Sequence, residues 1–302
     1  MKGELIVGSR GSALAMAQTE GVVSALHSAY RELRVRVETI TTFADADPDQ
    51  PFDRLGSVGF FVKEIEVALA EGRIDAAVHS MKDLPTEASP QLVIAATPPR
   101  EDPRDVLVAR GGFTLETLPP AARIGTSSPR RAAYLRAMRP DLTIAPVRGN
   151  VETRIRKMDE GLLDAVCLAA AGLVRLGLAD RVSQWLPVRQ MLPAPGQGAL
   201  GVQVRADDSQ TLERVRVLDH TPTKEAVTAE RAVLRRMQGG CRLPVGAFAD
   251  IEGGRLRLTA AVIASDGSRV IGGAREGATH DGAALGADLA EELLARGAAG
   301  LL

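Results

Sequence analysis

The stretch Asp75-Ala76-Ala77-Val78-His79-Ser80-Met81-Lys82-Asp83-Leu84-Pro85 decides the reading of the chain. Its first half is a short apolar run, the pattern of a strand buried on both faces. Its second half sets a hydroxyl, an ammonium and a carboxylate within four residues and stops at a proline. In open α/β sheets, ligands bind beyond the carboxyl ends of the strands. Asp83 is therefore expected where an acid meets a bound small molecule, with Ser80 and Lys82 beside it. His79 is expected to be packed at the strand end.

The same design recurs on either side. Leu5 to Val7 reads as a strand that ends at Gly8-Ser9-Arg10-Gly11-Ser12, before an amphipathic helix from about Ala13 to Tyr30. Strand, polar turn, helix is the arrangement that aims backbone N–H groups at an anion. Val35 to Ile40 is a second strand. Thr41 to Gly59 has no period and reads as a long loop, a kind of segment that is often functional. Phe60 to Glu71 is helical, and Leu92 to Ala96 is another strand.

Pro98 to Asp105 reads as a crossing into a second α/β unit. Strands are expected near Val106, at Arg123 to Gly125, at Leu142 to Val147 and at Asp164 to Leu168. Helices are expected after Ser128-Pro129, over Val151 to Glu160 and over Ala169 to Leu176. Ser128 suits a helix cap and Pro129 a first turn. Pro193-Ala194-Pro195-Gly196-Gln197-Gly198 is a second crossing. Ala199 to Val204 is expected to return to the first sheet. From about Thr223 a helix, three strands and a closing helix form a small α+β domain. The expected domains are 1-98 with 199-217, 99-198, and 218-302. The first two would be hinged α/β lobes with a cleft between them.

Composition bounds the function. The chain has 302 residues, 45% hydrophobic and 25% charged, with a net charge of −1. No global field argues for nucleic acid or membrane as a partner. Of the basic residues 32 are Arg and 5 are Lys, and Arg is the better fork for carboxylates and phosphates. Arg10, Ser12, Ser80, Lys82, Thr126, Ser128, Arg130, Arg131, Arg148 and Arg154 all fall at strand-to-helix turns or first helical turns. Taken singly, each hydroxyl is a helix cap and each Arg a solvated charge. Taken together they point to a polyanionic small molecule, because Arg at a helix N-terminus opposes the macrodipole.

Two cysteines make no disulfide framework. Cys167, inside Ala165-Val166-Cys167-Leu168, is expected to be a small buried hydrophobe. Cys241 follows Gly239-Gly240 and precedes Arg242, a setting for a low-pKa thiolate. No His or second Cys stands at metal-ligand spacing, so no metal is expected. A strand-like run directly follows the first residues, and no apolar stretch approaches the ~20 residues of a membrane span. The expectation is a cytoplasmic monomer. A two-lobed solute-binding protein and a thiol-dependent acyl transferase using Cys241 remain as other readings.

The ordered runs resemble hydroxymethylbilane synthase, the porphobilinogen deaminase family, nearly end to end. They are Gly8 to Ala15, Phe61-Val62-Lys63-Glu64, His79 to Pro85, Arg100-Glu101-Asp102-Pro103-Arg104-Asp105, Gly125 to Arg131, Val147-Arg148-Gly149-Asn150-Val151, Pro195 to Ala199 and Gly239-Gly240-Cys241. The resemblance implies three domains, the first two like a hinged periplasmic binding protein. It implies a dipyrromethane cofactor joined to Cys241 by a thioether, and porphobilinogen as substrate. It implies Asp83 as the catalytic carboxylate. Arg10, Ser12, Ser80, Lys82, Thr126, Ser128, Arg130, Arg131, Arg148, Arg154 and Arg175 would then hold acetate and propionate side chains. Phe61 would lie over the site and Gln197 at the domain crossing. One place departs: the family commonly carries Lys in a Gly-Gly-Lys-Gly run, where this chain has Gly56-Ser57-Val58-Gly59.

Overall fold

The computed structural model describes residues 4–42, 62–87, 89–237 and 243–301. The chain divides into two compact units, Met1–Arg100 with Ala199–Lys224, and Glu101–Gly198 with Glu225–Leu302.

In the first unit, β1 (Glu4–Ser9), α1 (Ala13–Ala29), β2 (Arg34–Thr39), α2 (Lys63–Ala70), β3 (Ala76–Ser80) and β4 (Leu92–Ala96) follow in order. The second unit begins with β5 (Asp105–Ala109), β6 (Arg123–Gly125), α3 (Pro129–Met138), β7 (Thr143–Ala145), α4 (Val151–Asp159), β8 (Ala165–Ala169), α5 (Ala170–Arg175) and β9 (Gln184–Leu186). The chain then returns to the first unit with β10 (Leu200–Arg205) and α6 (Ser209–Val215). It ends with α7 (Thr221–Arg236), β11 (Val245–Glu252), β12 (Arg255–Ile263), β13 (Val270–Ala278) and α8 (Gly282–Ala295).

The first sheet has the order β2-β1-β3-β10-β4. β1 runs parallel to β2 and β3, whereas β10 is antiparallel to β3 and β4. Helices cover both faces, which is why the central strands are continuous apolar runs. Val22 and Leu26 of α1 pack with Leu5, Val7, Val202 and Val204 on one face. Ile65 and Leu69 of α2 pack with Ile74 and Ala77 on the other. The expected return of the segment after Ala199 is realised. It is buried on both faces, because β10 is an interior strand.

The second sheet repeats the plan as β7-β6-β8-β5-β9. β6 is parallel to β7 and β8, and β5 is antiparallel to β8 and β9. Leu135 of α3 packs on one face with Leu107, Ile124 and Cys167. Ile155 and Met158 of α4 pack on the other with Val106, Val108 and Val166. Each such fully buried side chain contributes about 1.5–3 kcal/mol.

The three C-terminal strands form an antiparallel sheet, β11-β12-β13. β12 alternates: Leu256, Leu258, Ala260 and Val262 face the layer of α7 and α8, while Ala261 and Ile263 join the core of the second sheet. Gly286 lets α8 lie close on α7, since a Cβ there would run into the Ala229 carbonyl oxygen.

Candidate functional site

In the first unit β1 and β3 are parallel neighbours, so the segments after them leave the sheet at one edge. After β1, Ser9 Oγ donates to the Arg10 carbonyl (3.1 Å) and accepts from Thr19 Oγ1 (2.8 Å), which fixes the turn. Arg10 and Ser12 are half-buried there. Ser12 is the N-cap of α1 and accepts from the Ala15 N–H at 3.3 Å. A cap uses an acceptor lone pair, so the hydroxyl proton stays available to a ligand.

After β3, Met81–Asp83 form one 3₁₀ turn with Lys82 and Asp83 half-buried. The Met81 N–H donates to the Ala199 carbonyl (3.0 Å), which ties the turn to the segment entering β10. Gln18 of α1, itself buried, donates from Nε2 to Ser80 Oγ at 3.0 Å. Neither Gln18 nor this bond is legible in a linear reading, since α1 reaches β3 across 62 residues.

His79 is packed, as its strand-end position suggested. Burial pushes its pKa down from 6.5 to about 4, and the Arg10 charge adds to the effect against the hydrogen bond to Gln203. Gln203 donates from Nε2 to Glu66 (2.9 Å), so its Oε1 accepts from His79 Nε2–H at 3.1 Å. The imidazole is therefore neutral near pH 7 with its proton on Nε2.

The second unit gathers its residues at the equivalent edge, where β6 and β8 end side by side. The Thr126 N–H donates to the Ala145 carbonyl (2.9 Å), and Thr126 Oγ1 accepts from the Ser128 N–H (3.2 Å). Ser128 caps α3 and Pro129 occupies its first turn, as expected. Arg148 is half-buried, and Arg154 Nε donates to the Gly149 carbonyl at 2.8 Å. Arg175 Nη2 donates to the Gly198 carbonyl at 2.7 Å, and burial lowers its pKa while Glu101 opposes that. Gly198 has φ +88, and a Cβ there would run into the Glu101 carbonyl oxygen, so the segment needs glycine.

Three side chains are more enclosed than a linear reading shows. Arg130 and Arg131 are not on an open surface: they are 3% and 6% exposed. Both face Asp105, the first residue of β5, whose carboxylate is fully buried. Arg130 Nη1 donates to Asp105 Oδ2 at 2.6 Å and Arg131 Nε to Oδ1 at 2.9 Å. Gln197, expected at the domain crossing, is 1% exposed. Its Nε2 donates to the Pro103 carbonyl (2.8 Å) and to Asp105 Oδ1 (2.9 Å). The physical reason is common to all three: a buried carboxylate needs donors, and these side chains supply them. Burial alone would raise the Asp105 pKa, but the two guanidinium groups outweigh it and hold the carboxyl well below the usual range. One signal for Asp105 was present, an acid opening an otherwise apolar strand just after a charged run.

A second buried acid holds the crossing. Glu230 of α7 is 0% exposed and accepts from the N–H groups of Gly196 (2.7 Å) and Ala249 (2.8 Å). Cys167 is a buried thiol pushed up to about 12 by burial. Phe61, Cys241 and the Val58 position lie outside the described residues. Among the described residues no group of three or more His, Cys, Asp or Glu is placed to hold a metal ion. No described helix is long and apolar enough to cross a membrane.

Residues 5–213 match the family model described as porphobilinogen deaminase, dipyromethane cofactor binding domain, and residues 224–295 match the porphobilinogen deaminase C-terminal domain. The chain belongs to the porphobilinogen deaminase family. The porphobilinogen deaminase of Roseiflexus sp. (strain RS-1) is 51% identical over 302 residues, covering 100% of this chain and 99% of that one. The porphobilinogen deaminase of Desulforudis audaxviator (strain MP104C) is 49% identical, covering 100% and 98%. Among solved structures, the methionine binding protein MetQ aligns at TM-score 0.47 and 14% identity, over 71% of this chain and 89% of that one. The first family model spans both strand-end clusters, and the second begins within α7 and ends at the last residue of α8.

Proposed function

We propose that this chain is a transferase that joins porphobilinogen units head to tail into the linear tetrapyrrole hydroxymethylbilane, releasing ammonia at each addition. The observation that supports it most is the half-buried Ser80-Lys82-Asp83 turn beside Arg10 and Ser12, within a chain whose whole length matches this family. Dipyrromethane, bound to Cys241 by a thioether, would supply a tethered pyrrole carbon as the acceptor of the first unit. The residues suit such a group. Each ring brings two carboxylates, and the strand ends offer guanidinium, ammonium and hydroxyl donors, including a buried Arg130 Nε with no partner among the described residues.

In this reading Arg10, Ser12, Ser80, Lys82, Thr126, Ser128, Arg130, Arg131, Arg148, Arg154 and Arg175 bind carboxylates of cofactor and substrate. Arg binds them in fork geometry and Lys82 as a point charge. The Asp83 carboxylate accepts a hydrogen bond from the aminomethyl group as the C–N bond breaks and ammonia leaves. It also steadies the positive charge that develops on the pyrrole nitrogen. Asp83 would also accept the proton released when the new C–C bond has formed. Hydrolysis by water ends the cycle. Gln197, behind this surface, acts through Asp105, and Phe61 is kept as an aromatic cover. The division into 1-98 with 199-217, 99-198 and 218-302, a monomeric state and a cytoplasmic location complete the proposal.

Purified chain given porphobilinogen should release ammonia and form the linear tetrapyrrole. Its intact mass should exceed that of the polypeptide by two pyrrole units, and Cys241→Ala should lack the excess. Binding of porphobilinogen without ammonia release would instead favour a solute-binding protein.

A further inference from the structure

Two buried guanidinium groups share one buried carboxylate. Arg130 and Arg131 bring two positive charges to Asp105, and all three side chains are at most 8% exposed. Four donor contacts converge on that carboxylate: Arg130 Nη1 (2.6 Å), Arg131 Nε (2.9 Å), Arg131 Nη2 (2.8 Å) and Gln197 Nε2 (2.9 Å). Two guanidinium nitrogens also reach backbone carbonyls. Arg130 Nη1 also meets the Leu192 carbonyl (2.6 Å), and Arg131 Nη1 meets the Cys167 carbonyl at 3.3 Å. One N–H, Arg130 Nε, is buried without a hydrogen-bond partner among the described residues.

We propose that Asp105 is a positioning residue: it aims Arg130 and Arg131 and cancels one of their two charges, so that the pair receives one ligand carboxylate. This rests on the function proposed above. A planar guanidinium held along one edge by a carboxylate keeps a single orientation, so little freedom is lost when a ligand binds it. The uncancelled charge and the buried, unpartnered Arg130 Nε are what an incoming carboxylate would complete.

The test uses full-length Asp105→Asn and Asp105→Ala, with folding checked by near-UV circular dichroism. Intact mass reports the fraction carrying the two-pyrrole excess, and steady-state assays report KM and kcat for porphobilinogen. We expect the modified fraction to fall, KM to rise about tenfold and kcat to change by less than about threefold, the pattern of lost positioning rather than lost chemistry. Formate, which fills the place of the missing carboxylate, should lower the KM of Asp105→Ala towards the parent value. Folded variants with parental KM and modified fraction would overturn the inference. Formate that restores thermal stability while leaving KM raised would also overturn it, because the role would then be purely structural. If neither variant folds, Gln197→Leu decides, since it removes one donor from Asp105. A raised KM supports the inference and an unchanged KM refutes it. The parent chain, run in parallel, separates the two readings. If the parent neither carries the mass excess nor releases ammonia, the proposed function fails rather than the role of Asp105.

Discussion

Replacing Glu230 with alanine should destabilise the protein more than any single surface change. The carboxylate is wholly buried and accepts two backbone N–H groups, from Gly196 in the crossing segment and Ala249 in β11. Alanine has no acceptor, and the site is too enclosed for bulk water to replace it. Each N–H left unpartnered costs about 1–3 kcal/mol. The lost side-chain packing adds about 1 kcal/mol. The total, about 3–7 kcal/mol, is a large part of the 5–15 kcal/mol that holds a typical domain folded. Urea titration followed by circular dichroism should show the midpoint lowered by about 1–2 M with an unchanged slope. Glu230→Gln keeps one acceptor oxygen but turns an NH₂ towards the second N–H, so it should fall between the parent and Glu230→Ala. A midpoint shift equivalent to less than about 1 kcal/mol in Glu230→Ala would refute the reasoning. It would mean that the two N–H groups find other acceptors and that this carboxylate does not fix the crossing.

Asp83→Asn should retain the fold and KM but lose turnover about 10²-fold or more, checked by ammonia release. Val58→Lys, which restores the residue common in the family, should leave turnover within about twofold of the parent, and its abolition would show that the segment cannot be exchanged. Gly286→Ala should cost about 1–3 kcal/mol in urea titration, because the new Cβ meets the Ala229 carbonyl oxygen. His79 gives a pH dependence with a definite sign. Its folded pKa of about 4 lies below the ordinary 6.5, so the unfolded chain takes up the proton first. Stability from this group is complete above pH 6.5 and is lost as pH falls through about 4, by about 3 kcal/mol. His79→Gln should show a shallower loss over that window in urea midpoints.

Much of the architecture was legible because local signals agree with it. The Ser128-Pro129 start of α3 was readable because capping chemistry is local in sequence. So was the return of β10 to the first sheet. The three-residue strand Gln184–Leu186 left no signal, since only its pairing with β5 makes it a strand. Arg130 and Arg131 show a deeper limit. Their position at a helix start was correct, yet their partner lies 25 and 26 residues earlier in the chain. A sequence displays a cation but not the anion that will face it. Gln197 was hidden for the same reason, because its partner Asp105 is 92 residues away.

The order β2-β1-β3-β10-β4 has a consequence for how the polypeptide is made. The strand that fills the gap between β3 and β4 is encoded after the whole second sheet. While a ribosome extends the chain from Ala96 to Arg205, at about 5–20 residues per second, β3 and β4 each lack their shared neighbour for about 5–20 s. Unpaired strand edges of this kind invite wrong partners. The first α/β sheet is therefore completed later than the second, and its open edges are the ones a chaperone acting on the nascent protein would have to shield.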